Sequence, residues 1–344
     1  MKRRFWILIA LAAVVVSVTG AYTWWNIANP VNTCARCHEI VPSQEEWLKS
    51  AHAEKNCTEC HGTALSGGFR SMKEKTGMFL THLKGNRRNE DIRLTEAQVL
   101  EVSNRCIACH QSEYAGWLAS GHAVNYKEIF MDSAHNAAEK PYWDCLRCHG
   151  MFYEGNINTL MYLEGKPDEW KIIDKKQEKR AAVPCLACHR MHTENPVSER
   201  YVSMIDSSRF SIKKNPKTSF YMRSEKISLS SDFLTIVKMM DGEHEVKTAA
   251  DPNTRLCMQC HAPSHTRQAG SGDDRTPTGV HEGISCIICH QPHSGKTQAS
   301  CDLCHPAMSN CGVDVKTMNT TFNNPKSPND IHRISCANCH NEKK

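Results

Sequence analysis

The stretch that decides the fold begins His281-Glu-Gly-Ile-Ser-Cys286-Ile-Ile-Cys289-His290-Gln-Pro-His293 and, after seven more residues, continues Cys301-Asp-Leu-Cys304-His305. It holds two copies of Cys-x-x-Cys-His, the pentapeptide to which c-type haem is attached. Two thiols bind the two vinyl groups of one porphyrin, and the adjacent His binds the iron. His281 and His293 lie just outside the motifs and are candidates for the second axial position of a haem.

The same pentapeptide occurs nine times and uses 18 of the 19 Cys. Cys-x-x-Cys pairs also build zinc sites, but zinc does not require a His directly after the second Cys in every copy. Nine covalent haems are therefore predicted. The copies, called motifs 1 to 9 in chain order, are Cys34/Cys37/His38, Cys57/Cys60/His61, Cys106/Cys109/His110, Cys145/Cys148/His149, Cys185/Cys188/His189, Cys257/Cys260/His261, Cys286/Cys289/His290, Cys301/Cys304/His305 and Cys336/Cys339/His340.

The number of motifs also predicts the fold class. In 344 residues, nine motifs leave about 38 residues per haem, which is too few for each unit to bury an apolar core of its own. We expect a mainly α multihaem cytochrome c with much irregular loop, little sheet and a core packed largely with haem.

The formal charge of +5 omits the cofactors. With 18 ionised propionates, nine haems would bring the charge to about −13 in the reduced protein and about −4 in the ferric one. The basic balance of the chain is therefore no indication of a nucleic-acid partner.

The N-terminus predicts a membrane segment. Lys2, Arg3 and Arg4 precede an uncharged run from Phe5 to Trp25, whose 21 residues would span about 31 Å as a helix. A retained anchor with its basic end in the cytoplasm fits this run. The alternative is a cleaved signal peptide, for which Val18-Thr19-Gly20 is a poor cleavage site. Both interpretations place the haem motifs in the bacterial periplasm, at the inner membrane in the first case.

Nine haems need nine further axial ligands, and ten His stand outside the motifs. A complete bis-His set leaves no iron position open, which favours electron transfer over catalysis. His244 is the weakest candidate, because no motif lies near it. The predicted distal ligands are His52, His82, His122, His135, His192, His265, His281, His293 and His332.

Local patterns predict several elements. Ser43 to Glu46 and Thr95 to Gln98 have the spacing of helix capping boxes. Alternation in Ile227–Ser230, followed by the apolar run from Phe233 to Val237, predicts a hairpin. Residues 155–183 are rich in charge and are interpreted as a solvated linker.

The first 150 residues resemble the NapC/NirT family of membrane-anchored multihaem quinol dehydrogenases, which includes the NrfH-type subunits. The matching features are the anchor shortly before motif 1, the Trp47–His52 segment, and motifs 2 to 4 in order. The resemblance implies that motif 1 lies at the membrane face and takes electrons from menaquinol, which motifs 2 to 4 carry outward. One departure is Ile40, since family members have Met at this position as an axial ligand.

These observations predict four segments: an anchor (1–30), a four-haem domain (31–154), the charged linker (155–183) and a five-haem module (184–344). The expected function is electron transfer from menaquinol to a periplasmic redox protein, a reductase or an outward conduit in anaerobic respiration. The alternatives are a terminal reductase of a small nitrogen or sulfur oxyanion, with one five-coordinate haem, and a haem subunit of a larger respiratory complex.

Overall fold

The computed structural model describes residues 2–28, 32–37, 40–63, 76–77, 80, 82–83, 95–191, 218–262, 266–293, 296–306 and 312–340. Short helices and irregular connections dominate these residues, which confirms the predicted helix-rich, loop-rich class. The α-helices are α1 Lys2–Ile27, α2 Val41–Leu48, α3 Cys57–His61, α4 Glu96–Cys106, α5 Gln111–Leu118, α6 Tyr126–Phe130, α7 Ser133–Ala138, α8 Ile157–Leu160, α9 Pro252–His261, α10 Cys286–Cys289 and α11 Cys336–Cys339.

Single 3-10 turns supply much of the remaining regular structure. Four of them carry haem motifs, and the others connect longer elements. They are Cys34–Arg36, Gly121–Ala123, Trp143–Arg147, Pro167–Glu169, Cys185–Ala187, Ser231–Phe233, Gly279–His281, Cys301–Leu303 and Val315–Thr317.

The sheet content is three antiparallel two-stranded ribbons within the described part of the chain. They pair β1 Met161–Tyr162 with β2 Lys171–Ile172, β3 Ser219–Met222 with β4 Ile227–Ser230, and β5 Met240–Asp241 with β6 His244–Glu245. The predicted hairpin is therefore half correct. Ile227–Ser230 is a strand, but its partner precedes it, with Phe220 opposite Leu229. The apolar run after it is not a strand, because the chain turns at Ser231–Phe233.

The chain forms two compact units. The first contains residues 1–109 and 191–198, and the second contains residues 110–190 and 199–344. Motifs 1 and 2 and the cysteines of motif 3 belong to the first unit, while motifs 4 to 9 belong to the second. The domain boundaries predicted from the sequence stay a prediction.

Helix α1 is the one described helix that is long and apolar enough to cross a membrane. Its segment Lys2–Trp25 has a mean hydropathy of 2.2, and none of its most apolar window is buried. A membrane anchor and a signal sequence both fit such a helix. Its C-terminal end is tied to motif 2, because Asn56 Nδ2 donates to the carbonyl of Ala28 (3.1 Å) and the Asn56 side chain also caps α3.

The two predicted capping boxes differ in outcome. Thr95 caps α4, and Gln98 returns the bond to the Thr95 N–H, as predicted. Helix α2 starts earlier than predicted, at Val41, and Ser43 lies inside it. Pro42 explains the difference: proline fixes φ near the helical value and suits the first turn, where no N–H partner is needed.

The largest apolar core of the second unit includes part of the segment that was predicted to be a linker. Ile157, Leu160, Met161, Trp170 and Ile172 are all buried, and they pack with residues of the 126–146 region. The charged side chains that suggested a linker alternate with these apolar ones and remain on the outside. Residues 155–183 are therefore not a solvated linker along their whole length, because burial of their apolar residues favours packing.

Candidate haem sites

Each of the nine motifs has its two Cys on or beside a single helical turn, either a 3-10 turn or part of an α-helix. A turn places side chains three and four residues apart on one face, so the two thiols point to the same side, together with the following imidazole in the eight motifs whose His is described. In motifs 4, 5, 7, 8 and 9 the N–H of the motif His donates to the carbonyl of the first Cys, with N to O distances of 2.8–3.0 Å. The backbone thus supports the geometry that covalent haem attachment requires.

Four of the motif imidazoles each lie close to a second imidazole. In every pair one His belongs to a motif and the other is a predicted distal ligand. The ring centroids of His122 and His261 are 6.1 Å apart, those of His189 and His293 5.5 Å, those of His281 and His305 6.4 Å, and those of His290 and His332 6.0 Å.

These separations fit the chemistry of a haem iron. Imidazole nitrogens bind transition metals at about 2 Å, so two imidazoles on opposite sides of one iron place their ring centroids about 6 Å apart. The planes of three pairs are near parallel, at 20°, 25° and 30°, and those of His122 and His261 are inclined by 54°. The residues present therefore fit bis-His haem at motifs 5 to 8.

None of the four distal His pairs with the motif nearest to it in the sequence. His281 precedes motif 7 but faces motif 8, and His332 precedes motif 9 but faces motif 7. His293 follows motif 7 and faces motif 5, while His122 follows motif 3 and faces motif 6. The positions of these predicted ligands in the sequence therefore gave no guide to the pairing.

Motif 9 has an imidazole that is exposed at the surface. His340 directly follows α11, and its N–H donates to the carbonyl of Cys336 (2.8 Å). The His340 side chain is exposed, and it faces no second imidazole among the described ring contacts. The physical reason is that His332, the distal candidate just before this motif, is turned towards His290 of motif 7. A second protein ligand for the iron of motif 9 therefore stays a prediction.

Motif 1 is described through its cysteines alone. Cys37 directly follows the turn Cys34–Arg36, is half-buried, and donates its N–H to the carbonyl of Cys34 (3.4 Å). The predicted axial ligand of this motif, His38, lies outside the described residues. The axial ligation of motif 1 stays a prediction as well.

The second ring nitrogen of His281 has a partner of its own. His281 Nδ1 lies 2.8 Å from the carbonyl oxygen of Ile331, so Nδ1–H donates there and Nε2 is left to face the motif 8 His. Metal-binding His commonly donate their other ring N–H to a carbonyl or a carboxylate in this way. The strand-like contact of the same two segments, with Thr278 N donating to His332 O (2.7 Å) and Val280 N to Ile334 O (2.8 Å), holds the imidazole in place.

His332 has a carboxylate near its Nδ1 atom, where His281 has the carbonyl of Ile331. Asp330 Oδ1 accepts the His332 backbone N–H (3.1 Å) and lies 3.7 Å from the ring nitrogen Nδ1. A negative charge at this distance makes the imidazole a stronger donor to iron and stabilises the ferric state.

We expect Asp330→Asn to raise the reduction potential of the haem at motif 7. The Asn oxygen keeps the backbone hydrogen bond, and only the charge is lost, which is worth up to about 1 kcal/mol, or roughly 40 mV for a one-electron couple. A spectroelectrochemical titration measures the change. Asp174→Asn is the matched control, because this exposed carboxylate outside the motifs accepts the Lys176 backbone N–H (3.0 Å) in the same way, and it should leave the potentials unchanged.

A repeated turn presents two of the predicted distal ligands. The segments Trp47–His52 and Trp117–His122 share the pattern Trp-Leu-x-Ser-x-His and follow the helices α2 and α5. The hydroxyls of Ser50 and Ser120 donate to the Trp carbonyl (2.7 Å in both) and accept the His N–H (3.1 and 3.3 Å). His122 faces motif 6, so the same turn supports the prediction for His52.

Burial lowers the pKa of five imidazoles in the second unit and so favours the neutral form, which is the form that binds a metal; they are His122, His149, His261, His290 and His332. Surrounding protein atoms lower the pKa of His261 to about 4, although part of this residue faces solvent, and the neighbouring His122 adds to the shift. Burial also lowers the pKa of His149, whose electrostatic neighbours include the predicted distal ligand His135.

The other predicted ligands are placed as follows. His82 is half-buried, His61 is exposed at the end of α3, and His110 lies 3.8 Å from the carboxylate of Glu113. His192 and His265, like His38, lie outside the described residues.

His244, the weakest candidate, has a different partner. It pairs with the Glu282 carboxylate through Nε2 at 2.9 Å and faces no motif His among the described ring contacts. Its omission from the predicted ligands therefore agrees with its surroundings.

Within the first unit, Arg105 connects motifs 2 and 3. Its Nη1 donates to the carbonyl of Cys60 (2.9 Å), and its guanidinium forms an ion pair with Glu101 on the same helix, just before Cys106. Gly62, with φ of +73°, lies directly against this guanidinium, and a Cβ there would collide with it.

Gly62→Ala should therefore destabilise the first unit. The positive φ costs about 1–3 kcal/mol for a residue with a Cβ, and the collision with Arg105 adds to that cost. Denaturant unfolding measures the change. Gly242→Ala, at φ of +62° with no atom within 4 Å, isolates the backbone cost. Equal losses of unfolding free energy in the two variants would show that the collision with Arg105 does not contribute to the destabilisation.

The motifs of the first unit are also close to one another. The thiols of Cys34 and Cys57 share a hydrogen bond, and Cys60 and Cys109 are electrostatic neighbours. Motifs 1, 2 and 3 therefore follow one another in space as they do in the sequence.

Motifs on single turns, with paired imidazoles across them, define the class of multihaem c-type cytochromes. Comparison with known families agrees with this class: residues 105–190 and 215–291, just under half of the chain, match the family described as cytochrome c554 and c-prime. Such a family implies covalently bound haem and electron transfer. No curated protein and no solved structure matches the chain significantly.

Proposed function

We propose that the chain is a membrane-anchored nonahaem cytochrome that receives electrons from menaquinol and passes them to a periplasmic redox protein, a reductase or an outward conduit. The observation that carries this proposal is the set of four imidazole pairs, each joining a motif His to a predicted distal ligand. Sites with two protein ligands leave no position for a substrate, so they favour electron transfer over the chemistry of a reductase.

The arrangement of the first unit supports the direction of electron flow. The C-terminal end of helix α1 lies beside motif 2, because the Asn56 side chain donates a hydrogen bond to the Ala28 carbonyl. Motif 1 contacts motif 2 through the thiols of Cys34 and Cys57. If α1 is retained in the inner membrane with its N-terminus in the cytoplasm, motifs 1 and 2 lie at the periplasmic face. This is the place that a quinol donor requires, and it agrees with the NapC/NirT resemblance.

The residues have distinct parts in this function. Bound haem supplies the one-electron chemistry, and the motif cysteines fix it covalently. The motif and distal His set the reduction potentials through their ligation, and Asp330 and the Ile331 carbonyl adjust two of these ligands. Ile40 takes the place of the Met of the resembling family, so the quinol site would have a different axial ligand at motif 1.

Anaerobic mixing of the oxidised, detergent-solubilised protein with a menaquinol analogue tests the proposal, followed by the absorbance of reduced haem. Rapid reduction that a quinol-site inhibitor blocks would support it. No reduction, in a protein that dithionite reduces fully, would overturn the quinol donor. Haem content, measured as the pyridine haemochrome per chain, tests the count of nine separately.

A further inference from the structure

Motif 6 lies at the centre of the second unit, and three other motifs surround it. The Cys260 thiol is hydrogen bonded to Cys148 of motif 4, and the Cys257 thiol is hydrogen bonded to Cys286 of motif 7. Cys188 of motif 5 is an electrostatic neighbour of both Cys257 and Cys260.

Backbone and side-chain contacts hold two of these approaches in place. Helix α9, which carries motif 6, packs against α10, which carries motif 7. The buried hydroxyl of Thr254 on α9 accepts the Cys286 N–H (3.3 Å) and contacts Ser285 Oγ (3.2 Å). On the side of motif 5, strand β3 packs against α9, and its Ser219 N–H donates to the Cys188 carbonyl (2.8 Å).

The axial imidazoles give the same three neighbours. The ring of His261 interacts electrostatically with His149 of motif 4 and with His290 of motif 7. Its partner His122 interacts with His290 and with His293, the predicted distal ligand of motif 5. Thiols and imidazoles therefore agree on which sites adjoin motif 6.

Further contacts extend the line beyond motif 7. Cys289 of motif 7 is an electrostatic neighbour of Cys304 of motif 8, and Cys301 of motif 8 is a neighbour of Cys339 of motif 9. Motif 6 therefore adjoins motifs 4, 5 and 7, and motif 7 leads on to motifs 8 and 9.

We propose that motif 6 is the branch point of the electron path in the second unit, with arms to motif 4, to motif 5, and through motif 7 to motifs 8 and 9. This inference rests on the proposed function, since it assumes haem at each motif. Electron tunnelling falls steeply with distance, so neighbouring sites exchange electrons first. An electron that reaches motif 6 along one arm can therefore leave along either of the other two.

The test changes one ligand at a time in the haem-loaded, full-length protein. Methionine in place of an axial His raises the potential of that haem, so it is reduced first and becomes diamagnetic. Its magnetic interaction with each ferric neighbour is then lost. Electron paramagnetic resonance, recorded at the potential where only the substituted haem is reduced, counts the neighbours whose signals change.

We expect His122→Met, at motif 6, to alter the signals of three other haems. His293→Met, at motif 5, and His332→Met, at motif 7, should share one altered signal. The signal altered in both the His293→Met and His332→Met proteins should be the same one, that of motif 6, which keeps the test decisive if His122→Met does not fold.

Two outcomes would overturn the branch point: one or two altered signals in His122→Met, or no common signal in the other two variants. Failure of the proposed function is visible separately. A His→Met variant with an unchanged haem spectrum and unchanged potentials would show that the His is no ligand, and a haem content below nine would contradict the assumed set of sites.

Discussion

His293→Ala is expected to convert one haem in nine from low-spin to high-spin ferric iron. His293 faces His189 at 5.5 Å between ring centroids, so its removal leaves the motif 5 iron with one protein ligand. An open position on the iron accepts exogenous ligands. Carbon monoxide should therefore bind to about one ninth of the reduced haem, where the unchanged protein binds it less or not at all.

The same variant should also lose stability. Ligation of one iron by His189 and His293 closes a long loop, and a cross-link of such a loop is worth on the order of 2–4 kcal/mol. Thermal unfolding of the ferric protein measures the loss.

His244→Ala is the matched control for these measurements. His244 is exposed and pairs with Glu282, so its removal should change neither the spin state nor carbon monoxide binding. If His293→Ala keeps all its haem low-spin, the assignment of His293 to motif 5 is wrong.

Cys57→Ala/Cys60→Ala, which removes the haem of motif 2, is expected to leave the reduction of motif 1 unchanged and to slow electron transfer from motif 1 to the other haems. Motif 2 contacts motif 1 through Cys57 and motif 3 through Cys60. Without a haem between them, motif 1 should accept electrons from the menaquinol analogue at its usual rate. The other haems should then be reduced about a hundredfold more slowly, because electrons must tunnel directly from motif 1 to motif 3 and the tunnelling rate falls steeply with distance.

Stopped-flow absorbance of reduced haem gives the amplitude and the rate of each phase. Cys336→Ala/Cys339→Ala is the control, because motif 9 lies at the end of a line of contacts and its loss should leave rapid reduction of the other eight haems. Rapid reduction of every remaining haem in the Cys57→Ala/Cys60→Ala protein would show that electrons enter beyond motif 2.

The sequence predicted the haem sites but not the pairing of their imidazoles. Covalent attachment requires a fixed local pattern, so each motif is visible in five residues, and the scarcity of other His pointed to the distal ligands. Which of those His faces which motif depends on contacts such as that of the 278–281 and 331–335 segments, whose hydrogen bonds join residues about 50 positions apart. For this reason His340 has no described imidazole against it, although His332 is its near neighbour in the sequence.

The errors in the fold have a similar cause. The charges of residues 155–183 are visible in the sequence, but the burial of Trp170 and Ile172 depends on a core supplied by residues elsewhere in the chain. The strand Ile227–Ser230 was found by its alternation. Its partner, Ser219–Met222, has no such pattern and is defined by the hairpin it forms.

The remote pairing of the imidazoles has a consequence for biogenesis. If the chain is exported from its N-terminus, as we propose, Cys185, Cys188 and His189 reach the periplasm long before His293, and motif 7 does so before His332. Haem can be attached to such a motif while its second axial ligand is still on the other side of the membrane. We therefore expect newly made protein to pass through five-coordinate intermediates, which are open to peroxide and nitric oxide until the last residues have crossed.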